Sequence, residues 1–146
     1  MKITASERLY WFEKLSVVLT GFSRSELLGT GLTKTYLDTI DTNLDIEHID
    51  ALLNSFGHIR IENYDELTTE ELGSIQDLVE SKSYGSITKL IILLWYTGQW
   101  YGKNSYIVSS QSYLEGLVWK AIGAHPMGGK QPGYGTWGFP PLTFSS

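Results

Sequence analysis

Three histidines are the first candidates for chemistry, and their neighbours decide what each could do. His48 stands beside Glu47 and Asp50, but no second ligand recurs at the i+4 spacing that puts two metal ligands on one helix face. It reads as an exposed helix histidine. His58 follows Gly57 at an expected helix end, where a cation suits the negative pole of the dipole. His125 precedes Pro126 in an aromatic-rich stretch. General acid–base work needs a positioned partner, and Lys130 is its one charged neighbour. His125 reads as a contact that fixes its segment, with an autonomous enzyme centred on it as the alternative. Glu70-Glu71 and the Asp45/Glu47 pair lie in expected first turns of helices, where negative charge serves the dipole rather than hydrolysis. No G-x-S-x-G elbow occurs. Gly128-Gly-Lys130 lacks the phosphate-loop spacing, and Gly133-Tyr-Gly135 is not a dinucleotide fingerprint. With no cysteine, disulfides and thiol chemistry are excluded. No catalytic, cofactor-binding or metal-binding residue is assigned to this chain.

The elements that must position these side chains are helical over the first 123 residues, a domain of residues 1–123. Trp11, Leu15, Val18 and Phe22, widened by Phe12 and Leu19, form one apolar stripe closed near Gly21. Ser23-Arg-Ser-Glu26 matches a capping box, and Leu28, Leu32, Tyr36 and Ile40 give a single second helix its apolar face. Asp41 to Asp45 is turn chemistry, with Asp45 a helix cap. Ile46, Ile49, Leu52, Leu53 and Phe56 form the third stripe, which Gly57 should end. Thr68-Thr-Glu-Glu71 is another box, leading into Leu72, Ile75, Leu78 and Val79. A central helix is expected from Ile87 to Trp100, apolar on nearly every side and therefore buried on every side. Tyr106 to Val108 is an extended connector. Ser110 should cap a last helix carrying Tyr113, Leu114, Leu117, Val118, Ala121 and Ile122, stopped by Gly123. The expectation is an all-α protein: a compact bundle of about five or six helices.

The remaining segment, residues 124–146, is a long irregular C-terminal arm. All four prolines fall between Pro126 and Pro141, interleaved with glycines, so helix cannot continue. Tyr134, Trp137 and Phe139 lie among them, and solvated linkers seldom carry such rings. A segment that is irregular yet apolar needs a surface to lie on. Charged residues make up 18% of the chain, below the usual quarter. Either a partner covers some of the surface or Ser, Thr and Gly supply its polarity. Net charge is −5 with no Lys/Arg run, so nucleic acid is set aside as a partner. The run from Ile87 to Tyr101 is shorter than the roughly 20 apolar residues of a membrane span. The aromatic set Trp95, Tyr96, Trp100, Tyr101, Tyr134 and Trp137 is read as core and interface anchors. The alternative is an independent helical carbohydrate-binding module stacking sugars on Trp95, Trp100 and Trp137.

These residues carry a resemblance. Phe12-Glu-Lys-Leu15 with Leu19-Thr-Gly21, then Leu94-Trp95-Tyr96-Thr97-Gly98, then Tyr113 to Gly123 running into Ala124-His125-Pro126-x-Gly128, Gly135-x-Trp137 and Pro140-Pro141 span most of the chain. Together they resemble the small (gamma) subunit family of bacterial FAD-dependent sugar and polyol dehydrogenases, the sorbitol, fructose and glucose dehydrogenase small subunits. The resemblance implies a non-catalytic accessory subunit that stabilises, and helps mature or export, a large FAD-containing subunit of the glucose–methanol–choline (GMC) type. FAD would sit in that partner; many such complexes add a c-type cytochrome subunit. It further implies that His125, Pro126, Tyr134, Trp137, Phe139 and Pro140, with Trp95 and Tyr96, contact the large subunit. Family members commonly carry a twin-arginine signal, which MKITASERLYWFEKL lacks. A periplasmic location is expected if an export signal has been removed, a cytoplasmic one if this is the native full chain.

Overall fold

Hydroxyl side chains start four of the helices. Thr4, Ser23, Thr68 and Ser109 each accept a hydrogen bond from the backbone N–H three residues on, and each N3 side chain in turn accepts one from the cap residue's backbone N–H. These reciprocal bonds satisfy amides that a helix start leaves orphaned. Asp45 caps a fifth helix by accepting from Glu47 N–H. The Thr4-x-x-Glu7 box is as legible in sequence as those at Ser23 and Thr68, although only the latter two were anticipated.

The computed structural model describes residues 3–64, 66–102 and 104–117. They form α1 (Ala5–Thr20), α2 (Arg24–Thr30), α3 (Thr33–Asn43), α4 (Ile46–Gly57), α5 (Thr69–Glu80), α6 (Gly85–Thr97) and α7 (Ser110–Leu114). Between α6 and α7 lies a small antiparallel hairpin, β1 (Gln99–Trp100) and β2 (Tyr106–Ile107), with Trp100 opposite Tyr106. The all-α expectation holds, with seven helices among the described residues. Val118, Ala121, Ile122, the stop at Gly123 and the arm 124–146 lie outside them.

Several boundaries differ from expectation, each for a local reason. The single second helix is two, α2 and α3, broken where Gly31 adopts φ +70°; periodicity alone passes over one left-handed residue. Asp41 to Asn43 continue α3 instead of turning, helped by Thr42 Oγ1 and Asn43 Nδ2 donating back to Asp38 and Thr39 carbonyls. Gly57 stays helical, and His58 terminates α4. Ser109, not Ser110, caps α7. Trp100 leaves the central helix for β1, because Gly98 at φ +71° ends α6 first.

Helices α1 and α6 are the two elements around which the rest assemble: α1 packs on α2, α3, α4 and α6, while α6 also meets α3, α5, β1 and α7. The core joins Phe12 and Leu15 to Tyr36, Ile40, Leu52, Phe56, Ile91 and Leu94. α6 is not buried all round. Ile87, Thr88, Ile91, Leu94 and Trp95 are shut away, but Leu90, Ile92, Leu93 and Tyr96 are half-buried and Lys89 is exposed. α5 is the most loosely seated long helix, with Ile75 its one fully buried residue.

Candidate partner-binding site

The expected contact residues divide at the end of α6. Trp95 faces inward from the last turn, 1% exposed, its ring edge-on to Tyr36 at 4.8 Å. Its indole Nε1–H donates to Ser16 Oγ at 2.9 Å, so the buried donor is satisfied from α1. Tyr96, the next residue, also reaches α1, one turn further along it. Its hydroxyl donates to the Thr20 carbonyl at 3.1 Å and its ring meets Phe22 edge-on at 5.9 Å. Tyr96 is half-buried and Trp95 closed, so of these two only Tyr96 offers surface. Trp100 is likewise 1% exposed. Both rings are inside the bundle, so neither Trp95 nor Trp100 presents a face on which a sugar could stack.

Gly98 is the hub that joins this turn to the hairpin and α7. Its left-handed backbone sends its N–H to Leu94 O, while its carbonyl accepts from Val108 N–H at 3.0 Å and from Ser112 Oγ at 3.2 Å. A Cβ here would overlap the Ser112 carbonyl, and one on Gly116 would come within 2.8 Å of the Tyr96 carbonyl. Backbone thus crosses backbone twice, at Gly98–Ser112 and Gly116–Tyr96. The Leu94-Trp-Tyr-Thr-Gly98 motif is built as a crossing that holds α7 and Leu117, immediately ahead of the segment that contains the arm. His125, Pro126, Tyr134, Trp137, Phe139 and Pro140 lie outside the described residues.

Tyr36 adds an unpaired group beside this crossing. It is fully buried, and its hydroxyl makes no hydrogen bond. Burial pushes the phenol above the usual tyrosine range. Neighbouring Ser112 offsets this in part, although Ser112 Oγ is already engaged with Ser109 O, Gly98 O and Ser109 N–H. Removing an unsatisfied buried hydroxyl relieves a desolvation cost. Tyr36→Phe should leave stability unchanged or raise it by up to about 1 kcal/mol. The sign of the pH effect comes from the raised pKa: the unfolded chain loses this proton first, so stability falls as pH rises above about 10. Urea titrations across alkaline pH should find that fall smaller in Tyr36→Phe; an equal fall would remove Tyr36 as its source.

The remaining histidines have structural partners. His48 Nε2 lies 2.8 Å from Ser83 O, tying α4 to the turn before α6, and His58 Nδ1 lies 2.7 Å from Asn54 O. Among the described residues no group of His, Asp and Glu could hold a metal ion, and no helix is long and apolar enough to cross a membrane.

The strongest charged cluster was not anticipated. Arg8 of α1 donates from its two terminal nitrogens to both Asp41 oxygens of α3, at 2.7 and 2.8 Å, and from Nε to Asp50 of α4 at 2.5 Å. The three side chains are only 13%, 20% and 15% exposed. The hydrogen bonds to Asp41 hold the guanidinium above its ordinary pKa, against the opposing pull of burial. The sequence signal was present: Arg8 lies three, four and seven residues before Trp11, Phe12 and Leu15, a charge on an apolar stripe.

With the geometry in place, the chain can be set against known proteins. No family model, curated protein or solved structure matches it. The site must therefore be read from its own residues.

Proposed function

We propose that this chain is a non-catalytic accessory small subunit that binds and stabilises, and helps mature or export, the large FAD-containing GMC-type subunit of a sugar or polyol dehydrogenase. FAD belongs to that partner, and a c-type cytochrome subunit is a further candidate member of the complex. The observation that carries the reading is the pairing of the Leu94–Gly98 motif with the arm. The motif is spent on a backbone crossing rather than on chemistry, and it leads into a segment holding all four prolines together with Tyr134, Trp137 and Phe139. Tyr134, Trp137 and Phe139 are the residue types that most often anchor one protein on another. Of the described residues in the expected contact set, Tyr96 is the one that offers surface. An independent carbohydrate-binding module has lost two of its three proposed stacking rings to the core.

The test is affinity purification of the tagged full chain from its native host. A co-purifying large subunit with flavin absorbance supports the reading; a chain that emerges alone under gentle conditions sinks it. Deleting residues 124–146 should then abolish co-purification while the helical circular dichroism of the bundle persists. Loss of the helical signal with co-purification retained would refute the arm as the contact.

A further inference from the structure

A groove opens at the C-terminal end of α1, lined by Val17, Val18, Phe22, Tyr64, Leu67 and Leu72. Its volume is about 230 Å³, below the roughly 300 Å³ at which clefts for small-molecule ligands begin. It has room for one or two apolar side chains of a polypeptide. Leu72 forms its outer wall and is 53% exposed, although the other apolar residues of its helix, Ile75, Leu78 and Val79, turn inward. Phe22 and Tyr64 make the lining aromatic, and Tyr96 extends that surface by meeting Phe22 edge-on at 5.9 Å.

The described chain ends close to this groove. A Cβ on Gly116 would lie 2.8 Å from the Tyr96 carbonyl, so the exit from α7 passes over Tyr96, and Leu117 after it is buried. The Tyr96 hydroxyl donates to the Thr20 carbonyl, one residue ahead of Gly21, which also lines the groove. A single tyrosine side chain therefore spans the gap between the last described turn and the groove's rim. Residues 118–146 follow Leu117 and include the uncharged run Trp137-Gly-Phe-Pro-Pro-Leu142. At roughly 3.3 Å per residue, the intervening chain can reach about 65 Å, far beyond one side chain's length.

We propose that this groove docks residues 137–142 of the chain's own arm, whose apolar side chains fill it beside Leu72. Tethering selects this occupant. A segment joined to the bundle within reach meets the groove at an effective concentration of about 1 mM, which a second copy or a separate partner would have to match. The chemistry agrees, because proline-bearing segments laid on aromatic-lined grooves are a recurring recognition mode. Pro140 and Pro141 bring no backbone N–H that an apolar lining would leave unpaired. The loose seating of α5, with Ile75 as its one fully buried residue, lets the Leu72 wall adjust to what enters. Docking in the groove and binding to a large subunit then compete for the same rings. The proposal concerns the chain by itself and does not rest on the flavoprotein reading.

The test uses the full chain. It has no native cysteine, so Thr143→Cys carries a single spin label next to the docked run. In nuclear magnetic resonance spectra the label should broaden the amide signals of Val17, Val18, Phe22 and Leu72. It should spare Asp41 and Thr42, at the other end of α1, where Arg8 holds Asp41. Leu72→Gln should weaken the broadening, and Trp137→Ala with Phe139→Ala should abolish it. Leu28→Gln, at another exposed leucine outside the groove, should change nothing. Circular dichroism should confirm that each variant keeps its fold. Labelled chains mixed with unlabelled, isotope-enriched ones should leave the enriched spectrum sharp; broadening there would assign the groove to a second copy and overturn the proposal. So would broadening spread evenly over the bundle, groove signals left sharp by the label, or a Leu72→Gln chain broadened as strongly as its parent.

Discussion

Arg8→Ala should destabilise the bundle by about 3 kcal/mol, near the lower limit for breaking a buried ion pair because the three groups keep some contact with water. The loss is larger than that of an ordinary surface bridge for two reasons. The guanidinium is bidentate on Asp41 and also bonded to Asp50, so its removal leaves two carboxylates on neighbouring helices with no cation between them. Their mutual repulsion acts across largely desolvated surroundings, where charges are poorly screened. Arg8→Lys should recover only part of the loss, since one ammonium cannot reproduce the planar fork that meets both Asp41 oxygens. Arg8→Ala combined with Asp41→Asn and Asp50→Asn should recover more than the lysine variant, because it removes the orphaned charges as well. Urea denaturation of the four proteins reads the result. A loss under about 1 kcal/mol for Arg8→Ala would place the cluster among ordinary surface pairs. The contrast with Lys34–Asp38, an i,i+4 pair that is 76% and 61% exposed, is instructive: breaking that pair should cost no more than about 0.5 kcal/mol.

Gly98→Ala should be the most damaging single methyl in the described chain, costing about 2–5 kcal/mol from two additive sources. A left-handed φ costs an L-residue roughly 1–2 kcal/mol, and forcing backbone from backbone costs roughly a further 1–3 kcal/mol. Ser112 O is the obstacle, and main chain cannot swing aside as a side chain tip can. Relief would require α7 to lift from α6, breaking the Ser112 Oγ and Val108 N–H bonds to Gly98 O. Gly21→Ala is the matched control. It has φ +79° but nothing within 4 Å of its Cβ position, so it isolates the conformational cost alone. Thermal melts should order the proteins as wild type, Gly21→Ala, then Gly98→Ala. Equal losses would mean that the crossing can relax. Because the crossing lies just ahead of the arm, Gly98→Ala should also weaken co-purification with the proposed large subunit, whereas Gly21→Ala should not.

The helical elements were legible wherever their signal was contiguous. Ser23-x-x-Glu26 and Thr68-x-x-Glu71 are complete within four residues, and both cap as read. The same holds for Asp45 before α4. Errors arose where one residue's backbone overruled a longer pattern. Leu28, Leu32, Tyr36 and Ile40 keep i,i+4 spacing across the break at Gly31, so the stripe hides it. Ile87 to Trp100 is uniformly apolar, and only the left-handed Gly98 separates helix from hairpin. In the candidate site, Trp95 and Tyr96 are adjacent in sequence and alike in type, yet one is sealed against Ser16 and Tyr36 while the other reaches Thr20 and Phe22. Nothing in their local sequence distinguishes them.

By itself, the sequence determined the class of the fold, the capped starts of several of its helices and the exclusion of cysteine chemistry. Each is carried by residues close together in the chain, through backbone hydrogen bonding or simple composition. Tertiary structure alone decided which apolar side chains are shut in and which are offered outward. It also brought Arg8 to partners 33 and 42 residues away and set Trp95 on Ser16 across 79 residues. Burial and charge pairing are properties of surfaces that meet, and the identity of the meeting surface is not written in either one alone. That is why Trp95, a plausible contact in sequence, is a core residue, and why Leu72, one apolar position among many, stays half open to solvent.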